Sequence, residues 1–183
     1  MYSDEILAGK IAGGESNLMS EIIDRYEAKL RRYIIRMTSN HDECDDILQD
    51  VFIKCFTNIK SFDTAQRFSP WIYRITHNEA INKLRKKRGV PFSQLDTPEY
   101  DFSENLPSKL DTHKEASDQY DHSQVREVMN QLPPAHREVL VLYFYDELSY
   151  AEISDILRIP VSSVGVKISR AKELLKKNLE HLY

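Results

Sequence analysis

The sequence predicts an all-α chain: two small helical domains joined by a flexible acidic linker, the second domain carrying a helix-turn-helix. Three observations predict it. Five glycines against 30% charged residues in a chain of 183 favour helices over a sheet-rich fold. Apolar residues recur at spacings of three and four through most of the chain. That period lapses between Gly89 and Asp121, where Pro91, Pro98 and Pro107 stand among acidic and small polar residues. The expected division is 1–92, a linker 93–121, and 122–183, since this length accommodates one mid-sized domain or two small ones.

The first helix in this reading runs from Ser16 to Thr38. Leu18, Ile22, Ile23, Tyr26, Leu30, Tyr33, Ile34 and Met37 mark its apolar stripe, and Ser39-Asn40-His41 breaks it. The next has the cleanest period in the chain, with Cys44, Ile47, Leu48, Val51, Phe52, Cys55, Phe56 and Ile59 on one side. Asp42, Glu43, Asp45 and Asp46 in its first turns suit the positive end of the helix dipole. Dipole compensation does not require Gln49 and Asp50 further along, which opens an acidic docking surface as a second reading. Lys60 to Ser69 reads as a loop presenting two exposed aromatics, Phe62 and Phe68, and the basic Arg67. Ser69-Pro70 then starts a helix through Arg88, with proline at its tolerated first position. Trp71 fits a core position there. Aromatics beside the basic run Lys83 to Arg88 also suit single-stranded nucleic acid, where bases stack and phosphates pair.

Beyond the linker, Val125, Val128, Met129 and Leu132 restore the helical period up to Pro133-Pro134. Val139 to Phe144 then predicts a strongly apolar helix that packs under the helix-turn-helix. Ser149 and Glu152 stand at capping-box spacing, and Ile153, Ile156 and Leu157 give the helix behind them one apolar face. Pro160 is expected to stop it, with Ser162 or Ser163 capping a second helix along Val164, Ile168, Ala171 and Leu175. A cap, a tight turn and a basic second helix in this order describe a DNA-binding helix-turn-helix. Its outward face carries Ser162, Val166, Ser169, Arg170, Glu173 and Lys177, flanked by Lys167, Lys172 and Lys176. Arginine suits a guanine edge, valine a thymine methyl and the lysines suit phosphates. A plain helical core with solvated lysines is the alternative.

A net charge of −4 conceals an asymmetry. Arg74 to Arg88 holds six basic residues against Glu79, and Arg158 to Lys177 holds six against Glu173, a local +5 each. Gln94 to Asp121 holds eight acids against two lysines, a local −6. Such a map steers a polyanion to two places and repels it from a third. Cys44 and Cys55 lie about 16 Å apart along one helix, too far to bridge, and free thiols fit a reducing cytoplasm. Neither a signal region nor an apolar run long enough for a bilayer is read, and membrane insertion is not expected. The six histidines have no metal-ligand spacing, and no phosphate loop or nucleophile elbow occurs, so no metal, cofactor or catalytic residue is expected.

Four blocks together carry a family resemblance. Asp45-Asp-Ile-Leu-Gln-Asp-Val-Phe52 is the first, and Phe68-Ser-Pro-Trp-Ile-Tyr-Arg74 with Asn78 and Leu84-Arg-Lys-Lys-Arg88 the second. Leu132-Pro133 with Arg137-Glu-Val-Leu140 is the third; Tyr150-x-Glu-Ile153, Pro160-Val161 and Ser169-Arg-Ala171 form the last. In this order they resemble the bacterial RNA polymerase sigma factors of the extracytoplasmic-function class, over nearly the whole chain. The resemblance implies that Asp45, Asp46, Gln49, Asp50, Phe52 and Ile53 dock on core polymerase. It implies that Phe62, Arg67, Phe68, Trp71, Tyr73, Arg74, Asn78, Lys83, Arg85, Lys86, Lys87 and Arg88 recognise and open the minus-ten element, capturing an unstacked base. Ser162, Ser163, Val166, Lys167, Ser169, Arg170 and Lys177 would read the minus-thirty-five duplex. The implied partners are core RNA polymerase, promoter DNA and an anti-sigma factor, and the polymerase supplies the chemistry.

Asn82, Ser162 and Gly165 depart from the family pattern, which usually has aspartate, glycine and a basic residue there. Gly165 is expected to remove a phosphate or base contact and to cost about 1 kcal/mol of helix propensity. Two rival functions fit parts of the chain: a conventional dimeric DNA-binding regulator, and a sigma-like protein that titrates a repressor. The segment Phe62 to Arg88 argues against the first, and its basic end against the second.

Overall fold

The computed structural model describes residues 2–38, 40–88 and 122–180, and every regular element among them is helical. The proposed linker 93–121 lies outside these residues. The chain begins with a helix that periodicity did not reveal, α1 (Asp4–Ala12). Ser3 caps it by accepting from the Ile6 amide, and Asp4 and Glu5 sit at its positive end. Leu7, Ala8 and Ile11 are its buried face. After Gly14, whose φ of 111° suits glycine alone, a 3-10 turn (Ser16–Leu18) leads into α2 (Met19–Thr38). The predicted stripe of α2 is buried at Ile22, Tyr26, Leu30, Tyr33, Ile34 and Met37, with Leu18 and Ile23 at its margins.

Helix α3 (Cys44–Asn58) buries Cys44, Ile47, Leu48, Val51 and Cys55 in the groove between α2 and α4. Two of its predicted apolar positions fall outside that groove. Phe52 is half-buried and Phe56 is 44% exposed, because two flanking helices cover a narrower arc than the sequence stripe spans. Both cysteines are free and buried, and burial pushes the Cys55 thiol up to about 12. Helix α4 (Phe68–Arg88) starts one residue before the Ser69-Pro70 signal. Its first amide, on Phe68, donates to Glu5 Oε1 of α1 at 3.2 Å, a cap from 63 residues away. Pro70 falls within its first turn, where a missing N–H leaves nothing unpaired.

The second bundle comprises α5 (His122–Gln131), α6 (Pro134–Leu140), α7 (Tyr150–Leu157) and α8 (Val161–Glu180). A π-helical turn, Val141–Tyr145, extends α6. Val139 to Leu142 are buried beneath the last two helices as expected, but the widened turn rotates Phe144 outward to 52% exposure. The capping box of α7 forms in full: Ser149 Oγ accepts from the Glu152 amide, and the Glu152 carboxylate accepts from the Ser149 amide at 2.9 Å. Helix α7 ends at Arg158 in the left-handed region (φ 53°), two residues ahead of Pro160. The chain therefore turns early, and α8 begins at Val161, before Ser162 and Ser163, which lie in its first turn instead of capping it.

The two bundles touch. Helix α4 lies along α7, and α2 meets α6 and the π turn. At this seam Glu138 of α6, 3% exposed, accepts from the Tyr33 hydroxyl of α2 and lies 2.5 Å from His77 Nδ1 of α4. Buried Arg137 donates to the carbonyls of Met37 (3.2 Å), Asn130 (2.6 Å) and Leu132 (3.1 Å), which ties the end of α2 to the start of α6. Among the described residues, no helix is long and apolar enough to cross a membrane.

Candidate polymerase and promoter interface

Helix α3 presents one open face. Asp45, Asp46, Gln49, Asp50 and Ile53 are exposed there and Phe52 is half-buried, with the missed Phe56 beside Ile53. Four polar groups bordering two exposed apolar side chains describe a protein-docking surface better than a solvated helix face. Asp45 is bridged to Arg31 of α2, and Asp46 lies 3.7 Å from Lys83 of α4, so both acids are held by neighbouring helices. Ile53 and Phe56 share a face at i, i+3, which the single-stripe reading of α3 obscured.

The segment before α4 corrects the sequence reading most. Phe62 and Phe68 are 8% and 0% exposed, not presented to solvent. They form an aromatic cluster with Trp71 and Tyr26, ring centroids 5.1 to 5.5 Å apart, which closes the core between α1, α2 and α4. Tyr73, also expected on DNA, is 2% exposed and packs edge-on against Tyr33. These aromatics hold the loop's ends, and its polar middle faces outward. Asp63, Thr64, Gln66 and Arg67 are exposed. Asp63 Oδ1 accepts from the Ala65 amide at 3.0 Å and its carbonyl from the Gln66 amide at 2.9 Å, which fixes the turn. Thr64 rests against Gly9 of α1, where a Cβ would lie 3.4 Å from its methyl. Along α4, Arg74, Lys83 and Arg85 are half-buried and Asn78 and Lys86 exposed; the side chains of Lys87 and Arg88 lie outside the described ones.

Arg67 reaches across the seam to Glu152 of α7, 2.7 Å away, so the loop and the helix-turn-helix are joined by an ion pair. Burial alone would raise the Glu152 carboxyl, but its hydrogen bonds with Ser149 and the charge of Arg67 hold it below the ordinary carboxylate range.

On α8, Val164, Ile168 and Ala171 face the core as the stripe predicts. Ser162, Val166 (48% exposed) and Lys177 are open, and Ser163, Lys167, Ser169 and Arg170 are half-buried along the same side. The field there is positive. His136 of α6, beneath this face, has its pKa lowered by burial and then by the charges of Lys167 and Arg170. Gly165 lies half-buried against the first helix of the motif. A Cβ at that position would lie 3.3 Å from Tyr150 Cε2, so the glycine admits the first helix of the motif closely.

Residues 22–90 match the family Sigma-70 region 2, and residues 122–175 match Sigma-70, region 4. The chain is 36% identical to the ECF RNA polymerase sigma factor SigW of Bacillus subtilis (strain 168), over 94% of this chain and 95% of that one. This chain belongs to the sigma-70 family, in its extracytoplasmic-function class. The sigma factor also resembles two solved structures in fold. One is CnrH in complex with the cytosolic domain of CnrY (TM-score 0.71, 22% identity, 97% of each chain). The other is the sigma factor RpoE in complex with the anti-sigma factor NepR from Bartonella quintana (TM-score 0.65, 21% identity, 88% of this chain and 96% of that one). As a sigma factor it directs RNA polymerase to promoters and acts in transcription initiation.

Proposed function

We propose that the three surfaces divide the work of initiation among them. The outward face of α3 docks on core polymerase. The loop Asp63 to Arg67 and the exposed groups of α4 take the minus-ten element, and the open face of α8 reads the minus-thirty-five duplex. One observation carries the reading: a loop fixed at both ends by buried aromatics presents four polar side chains, Asp63, Thr64, Gln66 and Arg67, next to a helix that ends in a basic run. Such a loop engages an unpaired base by hydrogen bonds at its edge, while the basic run holds the adjoining phosphates. The polymerase supplies the chemistry, so the sigma factor itself carries no active site, and its place is the cytoplasm. Domain limits near 92 and 122 follow from the same division. Both similar structures are complexes with a second protein, and in one of them that protein is an anti-sigma factor, which supports an anti-sigma partner here as well.

The closed arrangement must then open on a promoter. Elements about 25 base pairs apart lie about 85 Å apart along B-form DNA. A compact chain of this length has a radius of gyration of only about 16 Å. Residues 89–121 reach about 110 Å when fully extended, enough to span the gap. Run-off transcription with purified core polymerase tests the reading as a whole; absence of any specific start site would refute it.

For duplex readout, Arg170→Ala is expected to weaken promoters that depend on the upstream element by about 1–3 kcal/mol, in a sequence-dependent way. Lys176→Ala should weaken all sequences alike and reduce the salt dependence of binding. Equal losses from both variants on every sequence, in a holoenzyme titration, would remove Arg170 from the base edges.

A further inference from the structure

We propose that the seam between the two bundles is a proton-linked clasp, in which the chain takes up protons as the bundles close and releases them as they part. Acid then favours the closed form, and rising pH lets the two proposed DNA-reading surfaces move apart. Its consequence for transcription rests on the proposed promoter map; its geometry does not.

The centre of the seam holds two carboxyl groups that the second bundle buries against the first; a third, Glu152, is held low by its bonds with Ser149 and the charge of Arg67 and stays ionised above about pH 5. Glu138 is 3% exposed, and the groups facing it are the Tyr33 hydroxyl of α2 and His77 Nδ1 of α4, the latter at 2.5 Å. Imidazole is the one side chain that ordinarily changes charge near neutrality. With His77 protonated, the contact is a buried ion pair. With His77 neutral, the carboxyl loses the counter-charge that offsets its desolvation, a costly state for a buried acid. The second carboxyl, Asp146, follows the π turn and precedes Glu147, whose positive φ turns the chain back. Tyr73 of α4 hydrogen-bonds to it, and Arg36, Arg32 and Lys29 face it from α2. Its Oδ2 is buried without a hydrogen-bond partner, and a neutral acid strands less charge there than a carboxylate does.

Both groups titrate in the same sense. Burial raises the Asp146 carboxyl from 3.8 to about 6, although the Tyr73 hydrogen bond and the three cations pull it down. Burial would lower His77, but the hydrogen bond and charge of Glu138 outweigh it and leave the imidazole above its ordinary 6.5. The tyrosines cannot share the response, since burial lifts Tyr33 and Tyr73 well above 10. A group whose pKa is raised on closure favours the closed form fully below its open-state value and loses that effect as pH rises through the closed-state value. For Asp146 the loss begins near pH 4 and is complete above about 6; for His77 it begins near 6.5 and continues upward. The two windows adjoin, so closure weakens steadily from mildly acid to mildly alkaline pH. From Asp146 alone the closed-to-open ratio falls about tenfold between pH 5 and 8.

The test uses the full chain with probes on Lys60→Cys and Glu180→Cys, both exposed sites on opposite bundles and outside the proposed DNA faces, the native thiols being buried and slow to label. Inter-probe distance distributions are recorded from pH 5 to 8 beside far-UV circular dichroism. The closed population should fall by about tenfold or more relative to the open one, with helix content unchanged. Asp146→Asn should hold the chain closed at pH values where the parent opens, His77→Gln should open it even at pH 5 to 6, and the double variant should show a flat profile. A parent ratio independent of pH, variants that track the parent curve, or opening accompanied by loss of helix would overturn the clasp. Loss of promoter-directed transcription with this pH response intact would instead count against the promoter map alone.

Discussion

Reversing the charges of Asp46 and Asp50 together, with Asp46→Lys and Asp50→Lys, is expected to abolish co-purification with core polymerase while the protein stays folded. Both side chains are exposed on the outward face of α3, beside Ile53 and Phe56. Placing like charges across an interface costs several kcal/mol, more than a hundredfold in affinity. The effect on folding is far smaller. Asp46 lies near Lys83 at 3.7 Å with both groups substantially exposed, and such pairs contribute under about 1 kcal/mol. Asp46 also lies in the first turn of α3, where the helix dipole adds a few tenths more. Thermal melts and pull-down assays on the same preparation separate the two roles. A variant that binds polymerase normally, or one that unfolds, would show that these acids serve the helix and not a partner.

How much the sequence revealed depends on how far apart the deciding residues lie. The capping box of Ser149 and Glu152 is a local device, complete within four residues, and it formed as read. The stripe of α2 was legible because burial there follows helical period alone. Phe62 and Phe68 were misread because a loop position suggests exposure. Their burial depends on Tyr26 and on α1, elements that carry no signal at positions 62 and 68. The start of α4 shifted for the same reason, since its cap is Glu5. Gly165 reads in the sequence as a lost DNA contact, and the structure adds a packing role, since Tyr150 lies against it. The seam itself was invisible, because Glu138, His77 and Tyr33 meet from three helices and none follows a motif. The stripes of α2 and α3 and the exposure along α8 were therefore readable from pattern, whereas exposure in the loop depended on which side chains the core had already claimed.

That distinction sets the strongest test of the proposed melting loop. Gln66→Ala with Arg67→Ala should leave polymerase binding and closed complexes intact, because both side chains are exposed and neither supports the core. The Arg67–Glu152 pair is lost too, but with the arginine side chain 75% exposed it contributes little to stability. Open-complex formation, followed by permanganate reactivity of unpaired thymines, should fall by about tenfold or more. Each hydrogen bond to an unpaired base edge is worth about 0.5–1.5 kcal/mol, and up to about 3 where arginine supplies it. A template with a pre-melted bubble should recover much of the lost transcription, since unpairing no longer depends on the loop. Phe68→Ala should behave in the opposite way. It empties a fully buried site in the aromatic cluster and is expected to cost about 3–5 kcal/mol of folding free energy. Polymerase binding would then fail along with melting, and a bubble template would rescue nothing. If the Phe68 variant instead folded normally and lost only strand opening, the aromatic would be acting on DNA directly and the polar face of the loop would not be the melting surface.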